Sequence, residues 1–298
     1  MGKAERNRQE HARERIASQQ IAARRAEARR RTLIAGGSAV VVIAIVVTVV
    51  LLGLGSHKSP TTPSASSGRT TNATVVSQIT NVPAAVLNAV GAGKAVNPLT
   101  TISAAPLSSN GKPEMLYVGA EYCPYCAAER WAMVVALSRF GTFSGLRFIH
   151  STPNDKYSNT ATLTFYQSSY VSKYLTFKPV EWFTVANKSL ETPTSAEQAL
   201  LQKYGQGSFP FVDLANKYIV SGAQFLPGVL GSVAQEDPTH HGLTWSEIAT
   251  QMQNPNSPVA QAVIGAANHI TAAICKVTNG QPGNVCKSAA VTSVGGDI

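Results

Sequence analysis

The chain has 298 residues, of which 44% are hydrophobic and 14% charged, so it can bury a sizeable core in one or two domains. Its formal net charge is +9, but residues 1–32 hold ten of the 25 Lys and Arg residues against four Glu, and they account for +6 of that charge. The remaining +3 excludes a strongly basic folded part, so we expect no nucleic-acid binding.

An apolar segment follows the basic arm. Residues 33–54 (LIAGGSAVVVIAIVVTVVLLGL) run for 22 positions without a charge. A helix of that length covers about 33 Å, and the hydrocarbon core of a bilayer is about 30 Å thick. We therefore predict a transmembrane helix. A buried helix of a soluble domain rarely lacks a polar face over this length, and a cleaved signal peptide has a shorter apolar run and a small-residue cleavage site, which GSHKSP does not provide.

The Lys and Arg residues around this segment predict its orientation. Ten precede it, and only Lys58 and Arg69 lie in the twenty residues after it. Because positive flanks stay in the cytoplasm, we expect a single-pass protein of the cell membrane with a cytoplasmic N-terminus and an extracytoplasmic C-terminal part. The arm, residues 1–32, then serves mainly to fix this topology, with contact to anionic membrane lipids as an alternative.

A tether and a globular domain are predicted outside the membrane. Residues 55–74 (GSHKSPTTPSASSGRTTNAT) are rich in Ser, Thr, Pro and Gly, which is typical of a flexible linker. The r.m.s. reach of twenty such residues is about 25 Å. Residues 75–298 have a globular composition and form the predicted extracytoplasmic domain.

Helices and strands alternate in this domain. Two helix starts carry a capping box, Thr194 with Glu197 and Thr244 with Glu247. The predicted order indicates a mixed α/β sheet. In chain order we predict a helix at 83–90, strands at 99–104 and 114–120, a helix from Cys123 to Gly141, strands at 145–151, 162–166 and 170–177, a helix at 194–205, a strand hairpin turning at Asn216, and two helices that begin after Thr244 and Ser257.

The segment GAEYCPYCAAERW contains a Cys-x-x-Cys pair where a strand passes into a helix. The helix N-terminus favours a negative sulfur on Cys123, which would lower its pKa from about 8.5 into the range of about 3.5 to 7.5. Cys126, one turn later, is placed to resolve a mixed disulfide formed at Cys123. Pro124 suits the first helical turn, where an N–H is not needed. This pattern indicates thiol–disulfide chemistry.

Two alternatives to this chemistry remain. A zinc site needs four ligands, usually with a second pair at short spacing, and the other two cysteines, Cys275 and Cys286, lie about 150 residues away. We therefore predict no metal. The second alternative is a permanently oxidised or degenerate pair on a protein that only binds a partner.

The C-terminal cysteines flank ten residues of turn composition, KVTNGQPGNV. In an exported protein an even cysteine count favours a structural disulfide between Cys275 and Cys286, with a second relay dithiol as the alternative. The adjacent His240 and His241 are interpreted as loop polarity, since neighbouring residues cannot readily bind one metal together.

Several motifs resemble a known fold. YCPYC after a hydrophobic strand, and SFPF ahead of a strand hairpin, resemble the thioredoxin fold, in which a cis-proline loop lies against the Cys-x-x-Cys pair. The dipeptide between the cysteines is similar to that of glutaredoxins and close to the Pro-His of the DsbA oxidases. With ATLTFYQSSYVSKYLTF, ITAAICKVTNGQPGNVC and the apolar anchor, the pattern resembles the membrane-anchored proteins grouped as domain of unknown function 929, over nearly all of residues 75–286.

The resemblance implies a fold class and site residues. The expected class is α/β: a thioredoxin-like mixed sheet flanked by helices, with a helical and strand insertion, preceded by one transmembrane helix. The implied roles are Cys123 as nucleophile, Cys126 as resolving thiol, Pro210 as the cis-proline, and Phe209, Pro124 and Tyr125 as substrate contacts.

Three features depart from that pattern. Thioredoxin and DsbA hold a buried carboxylate six residues before the first cysteine, and this chain has Tyr117 there. Glu121 is nearer in sequence, but we expect it to be exposed at the surface. Phe209 is bulkier than the usual residue before the cis-proline and would narrow the substrate groove. The 83 residues between Cys126 and Pro210 exceed the thioredoxin spacing, so 152–207 is predicted to be an insertion.

The predicted function is a membrane-tethered thiol–disulfide oxidoreductase that acts on exported thiol-containing proteins, with disulfide formation as the expected direction. No flavin, NAD or quinone motif is present in the sequence, so we expect no cofactor and a membrane quinone reductase, DsbB-like or vitamin-K-epoxide-reductase-like, as the redox partner. The alternatives are a non-catalytic envelope binding module that retains the fold, and a glutathione-using enzyme.

Overall fold

The computed structural model describes residues 72–231 and 242–296. The predicted arm, the transmembrane segment, nearly all of the linker and the His240–His241 pair lie outside the described residues. By its internal contacts the chain divides into two compact units, and all of the described residues belong to the second, Ala65–Ile298.

The strands are short. Their bounds are β1 (Thr100–Thr101), β2 (Ser108–Ser109), β3 (Lys112–Gly119), β4 (Gly141–Ser144), β5 (Arg147–His150), β6 (Ala161–Thr164), β7 (Ser169–Ser172), β8 (Thr176–Glu181), β9 (Phe211–Leu214) and β10 (Tyr218–Ser221). Strands β6 and β9 are buried along their whole length.

A mixed main sheet is organised around β3. Strand β8 pairs with β3 in parallel, β9 pairs with β3 on its other side antiparallel, and β10 and then β1 extend the sheet beyond β9. Strand β2 pairs with the start of β3. The register sets Gly119, the last residue of β3, beside Glu181, the last residue of β8. The carboxyl ends of these parallel strands therefore meet at one edge, just ahead of the two cysteines.

The helices cover both faces of this sheet. Their bounds are α1 (Ala73–Thr80), α2 (Ala84–Val90), α3 (Pro124–Ser138), α4 (Ser195–Gly205), α5 (Trp245–Met252), α6 (Pro258–Val277), α7 (Gly283–Cys286) and α8 (Ala289–Thr292), with a 3-10 turn at Pro227–Leu230.

Alternate residues of β3 enter different cores, because successive side chains of a strand point to opposite faces. Met115 and Tyr117 belong to the larger core, which α3 and α6 cover. Leu116 and Val118 belong to a smaller core that contains Leu201 of α4. The described domain is thus a mixed α/β sheet with helices on both sides.

Helix starts follow the predicted caps. The Thr194–Glu197 and Thr244–Glu247 capping boxes are both formed, at the starts of α4 and α5. Ser257 caps α6, with Pro258 in its first turn. These predictions are confirmed. The capping side chains accept hydrogen bonds from N–H groups of the first helical turn, which have no partner within the helix.

The prediction for residues 152–207 is wrong in its bounds. Strand β8 lies inside that range, yet it is a main-sheet strand directly beside β3. Two small sheets precede it in the chain: β4 pairs with β7, and β5 pairs with β6. The predicted strand at 170–177 is divided between β7 and β8, and α1 was not predicted.

Helix α6 meets a simple length and hydropathy test for a membrane span, and so do α1 and α2 if they are taken together across a 59° bend. In the described domain, 89% of the most apolar 18-residue stretch of α6 is buried. Packing in the core explains the hydropathy of α6.

Candidate functional site

The two cysteines lie at the start of α3. Cys123 is the N-cap residue, and its Sγ accepts a hydrogen bond from the backbone N–H of Cys126 at 3.2 Å. Pro124 occupies the first turn and is buried, whereas Tyr125 is 37% exposed. Both cysteines are thiols in the structure; Cys123 is 6% exposed and Cys126 is fully buried. Of the two sulfurs, that of Cys123 is the more accessible.

The local electrostatics divide the roles of the two thiols. The pKa of Cys123 is lowered, chiefly by a hydrogen bond from the Cys126 thiol, with help from the Cys126 N–H and the Arg130 charge and against the effect of burial. The pKa of Cys126 is raised well above its ordinary value by burial and by the negative charge that Cys123 would carry. Of the two sulfurs, Cys123 is therefore the one that loses its proton more readily, and the Cys126 thiol donates to it.

A buried ion pair lies beneath the dithiol. Arg130, two turns after Cys123 in α3, donates from Nε to Glu181 Oε1 at 2.8 Å and from Nη2 to Glu181 Oε2 at 2.6 Å. Its Nη2 also donates to the Ala120 carbonyl at 2.8 Å. Both side chains are completely buried. The pair joins α3, β8 and the segment that leads to Cys123.

Tyr117 occupies the position, six residues before Cys123, where thioredoxin and DsbA hold a buried carboxylate. Its side chain is fully buried, and its hydroxyl has no hydrogen-bond partner among the described residues. Burial raises its pKa well above the ordinary value, so the phenol stays neutral. A Cβ at Gly119 would come within 3 Å of the Tyr117 ring and hydroxyl, which explains why glycine stands at the end of β3. Tyr117 is therefore not a base.

Glu121 was expected at the surface, and this prediction is wrong. The residue is 2% exposed, and its Oε1 accepts from Thr164 Oγ1 at 2.9 Å. The small β5–β6 sheet covers it, which no local sequence pattern indicates.

Phe209 and Pro210 approach from the strand that follows α4. The peptide bond between them is cis, as the resemblance implied, and the Pro210 carbonyl accepts from Gly222 N at 2.8 Å. Phe209 packs, with Tyr122 and Phe183, against a small buried cluster of Ala120, Cys123 and Cys126. The structure therefore brings Phe209 to the dithiol. Direct contact of Pro210 with the Cys123 sulfur stays a prediction.

Tyr125 extends the site toward the loop between β5 and β6. Its ring meets that of Tyr157 edge to face, with centroids 5.8 Å apart. Tyr157 in turn lies against Gly228, where an added Cβ would come within 3.2 Å of its ring. The loop after β5 thus borders the exposed side of the Cys-x-x-Cys turn.

Cys275 and Cys286 are joined by a disulfide in the structure, with their Cα atoms 5.5 Å apart. The bond links the last turns of α6 to α7. Within the described ranges, no group of three or more His, Cys, Asp or Glu side chains is arranged to hold a metal ion.

Besides Glu121, sequence reasoning missed four buried charged groups among the described residues: Arg130, Glu181, Glu129 and Asp213. Arg130 and Glu181 pair with each other, and Glu129 Oε2 accepts from Gln224 N at 2.9 Å. Burial raises the pKa of Glu129 to about 7. A usable signal for Arg130 is its spacing of four residues from Cys126, which puts both on one face of the helix.

Comparisons with known proteins identify a family. A model of domain of unknown function 929 matches residues 98–276, which include both cysteines of the Cys-x-x-Cys pair, Pro210 and Cys275. No curated protein matches the chain. No solved structure matches it either.

Proposed function

We propose that this chain, which belongs to the family of domain of unknown function 929, is a membrane-tethered thiol–disulfide oxidoreductase with a thioredoxin-like fold. Its clients are exported proteins with thiol groups, and it forms disulfides in them. The observation that carries the proposal is the asymmetric dithiol: a Cys123 at a helix N-cap with a lowered pKa, next to a fully buried Cys126 with a raised one.

The sheet topology supports the fold assignment. The strands β8, β3, β9 and β10 lie side by side in that order, with β8 parallel and β9 antiparallel to β3. Helix α3 follows β3, α4 follows β8, and α6 follows β10 in the chain. The thioredoxin fold has the same arrangement of four strands and three helices, with the Cys-x-x-Cys pair at the start of the first helix. On this reading the insertion lies between α3 and β8.

The reaction follows from the two thiols. In the oxidised protein a client thiolate attacks the Cys123 sulfur, the Cys123–Cys126 bond breaks, and Cys126 leaves and takes up a proton. A second client thiolate then attacks the client sulfur of the mixed disulfide, and Cys123 leaves as a thiolate. The client loses two electrons and gains a disulfide, and the dithiol holds the two electrons.

The direction rests on the stability of the Cys123 thiolate. A thiolate stabilised in the reduced protein makes the disulfide form a stronger oxidant, and it makes Cys123 the better leaving group. The dithiol must then be reoxidised by another protein. A membrane quinone reductase of the DsbB-like or vitamin-K-epoxide-reductase-like kind fits a domain on a tether that reaches about 25 Å.

The test is to trap the mixed disulfide in the full-length chain. Cys126→Ala should accumulate adducts on Cys123 that reductant releases, and Cys123→Ala should form none. The pKa of Cys123, followed by thiolate absorbance, should lie well below the ordinary value of about 8.5. An ordinary pKa with no adducts from Cys126→Ala would overturn the proposal and favour a non-catalytic binding module.

A further inference from the structure

A cleft of about 970 Å³ opens beside the dithiol, and no step of the proposed reaction uses it. Three segments line it: residues 121–122, the loop after β5, and the turn at 184–187 that follows β8. Trp245, at the start of α5, forms part of its wall. The volume is at the upper end of the range of roughly 300–1,000 Å³ typical of small-ligand sites.

The cleft is fixed to the nucleophile by backbone hydrogen bonds. The carbonyl of Tyr122, the residue before Cys123, accepts from Thr152 N at 2.9 Å, and Glu121 N donates to the Phe183 carbonyl at 2.8 Å. Tyr122 is therefore both a wall of the cleft and the neighbour of Cys123. An extended chain advances about 3.3 Å per residue. When a client cysteine is bonded to Cys123, the client residues on either side of that cysteine therefore lie at the cleft.

The Trp245 wall is rigid. Its indole Nε1 donates to the carbonyls of Ile149 at 3.1 Å and Thr162 at 2.8 Å. The His150 ring packs on it with centroids 4.5 Å apart. These bonds tie α5 to both strands of the β5–β6 sheet and hold this wall of the cleft in place.

The polar and charged side chains that line the cleft indicate which ligand it would favour. Glu121 and Asp155 are acidic, and none of the described residues that line the cleft is a Lys or Arg. Burial lowers the pKa of His150, so this ring adds no positive charge at neutral pH. The remaining polar groups are neutral hydroxyls and amides, which suit the N–H and C=O groups of a peptide backbone. They include Ser151, Asn154, Thr184 and Asn187.

We infer that this cleft binds an extended polypeptide segment flanking the client cysteine, with neutral or basic side chains preferred over acidic ones. The inference rests on the proposed function and names the substrate class of the same site. It also separates the protein from a glutathione-using enzyme, because glutathione is an anion and the part of the lining that the structure describes offers it no Lys or Arg.

The probe is a peptide whose single cysteine carries thionitrobenzoate as a mixed disulfide. The Cys123 thiolate attacks the peptide sulfur, the Cys123–peptide disulfide forms, and coloured thionitrobenzoate leaves, so no other oxidant is needed. The full-length chain carries Cys126→Ala so that the reaction stops there. Ten-residue peptides with neutral, lysine or glutamate flanks are compared with N-acetylcysteine methyl ester and glutathione, each activated in the same way.

Two variants test the cleft, with one matched control. Ala186→Trp fills it from an exposed turn position, and Val171→Trp adds the same side chain on β7, where the residue is 74% exposed and does not line the cleft. In Ala186→Trp the ratio of the neutral-peptide rate to the methyl-ester rate should fall about tenfold, because a tenfold change corresponds to the loss of one well-packed interface contact. In Val171→Trp the ratio should stay constant.

The second variant, Asp155→Asn, removes one charge and keeps the oxygen that accepts from Tyr157 N. The preference for lysine over glutamate flanks should shrink about tenfold, because the two flanks differ by two unit charges and each charge is worth about threefold at about 6 Å in water. An unchanged rate ratio in Ala186→Trp, or faster reaction of glutathione than of the neutral peptide, would overturn the inference. Absence of reaction with every probe, the methyl ester included, would instead refute the proposed function itself.

Discussion

The free energy of unfolding should depend on pH through Glu129, and Glu129→Gln should remove that dependence. The carboxyl is completely buried in α3, accepts one backbone hydrogen bond from Gln224, and has no partner for Oε1 in the part of the chain that the structure describes. Burial raises its pKa from 4.5 to about 7. The folded protein therefore holds a proton there that the unfolded chain releases.

The sign and size follow from this difference. Between pH 4.5 and 7 the unfolded chain binds fewer protons than the folded protein, so stability falls as pH rises through that window. Each pKa unit corresponds to about 1.36 kcal/mol, so about 3 kcal/mol of stability present at pH 4 is lost by pH 8. Glutamine stays neutral and keeps the acceptor oxygen, so the variant should match the wild type at pH 4 and exceed it by about 3 kcal/mol at pH 8.

Urea unfolding of the full-length chain measures this difference. All three tryptophans, Trp131, Trp182 and Trp245, belong to the described domain, so their fluorescence reports its unfolding. Asp213→Asn is the comparison variant, because burial raises the pKa of Asp213 only to about 6 and its effect ends at lower pH. Parallel pH curves for Glu129→Gln and the wild type would refute the reasoning.

Three further predictions concern other parts of the molecule. Cys275→Ser combined with Cys286→Ser should lower the free energy of unfolding by about 3 kcal/mol, from loop closure over 11 residues, and leave trapping at Cys123 intact; lost trapping with unchanged stability would make this pair a relay. Arg130→Met combined with Glu181→Met removes the buried pair without leaving a lone charge and should raise the pKa of Cys123; an unchanged thiolate titration would show that Arg130 does not act on the sulfur. Protease added outside spheroplasts should cut the linker at 55–74, and cleavage of only the arm at 1–32 would reverse the proposed orientation.

Local chemistry was predictable from the sequence. Cys123 as the N-cap of a helix, the two capping boxes and the helix that opens with Ser257 and Pro258 each depend on residues within four positions of one another. The strand after Pro210 was also found, because an apolar run follows a proline and a glycine-containing turn.

The features that the sequence did not predict depend on contacts between residues far apart in the chain. Strand β8 pairs with β3 in parallel, and more than 50 residues separate the two strands in the chain. The local sequence of β8 therefore does not predict its place in the main sheet. The buried charges failed for the same reason: Arg130 and its partner Glu181 are 51 residues apart, and Glu129 and Gln224 are 95 apart. A charged residue is exposed by default, and only a partner from another element makes its burial tolerable.

The buried pair also bears on how the proposed reaction proceeds without a carboxylate at position 117. When the Cys123–Cys126 bond breaks, negative charge develops on a sulfur that is fully buried. A thiolate in that place needs either a proton or a nearby cation. The Arg130 charge lowers the pKa of both thiols, though less than burial raises that of Cys126, and its Nη1 is a buried donor with no partner among the described residues. Tyr117 cannot accept a proton as a neutral phenol, so in the proposed reaction the guanidinium, held in place by Glu181 and Ala120, would offset this charge until Cys126 is protonated.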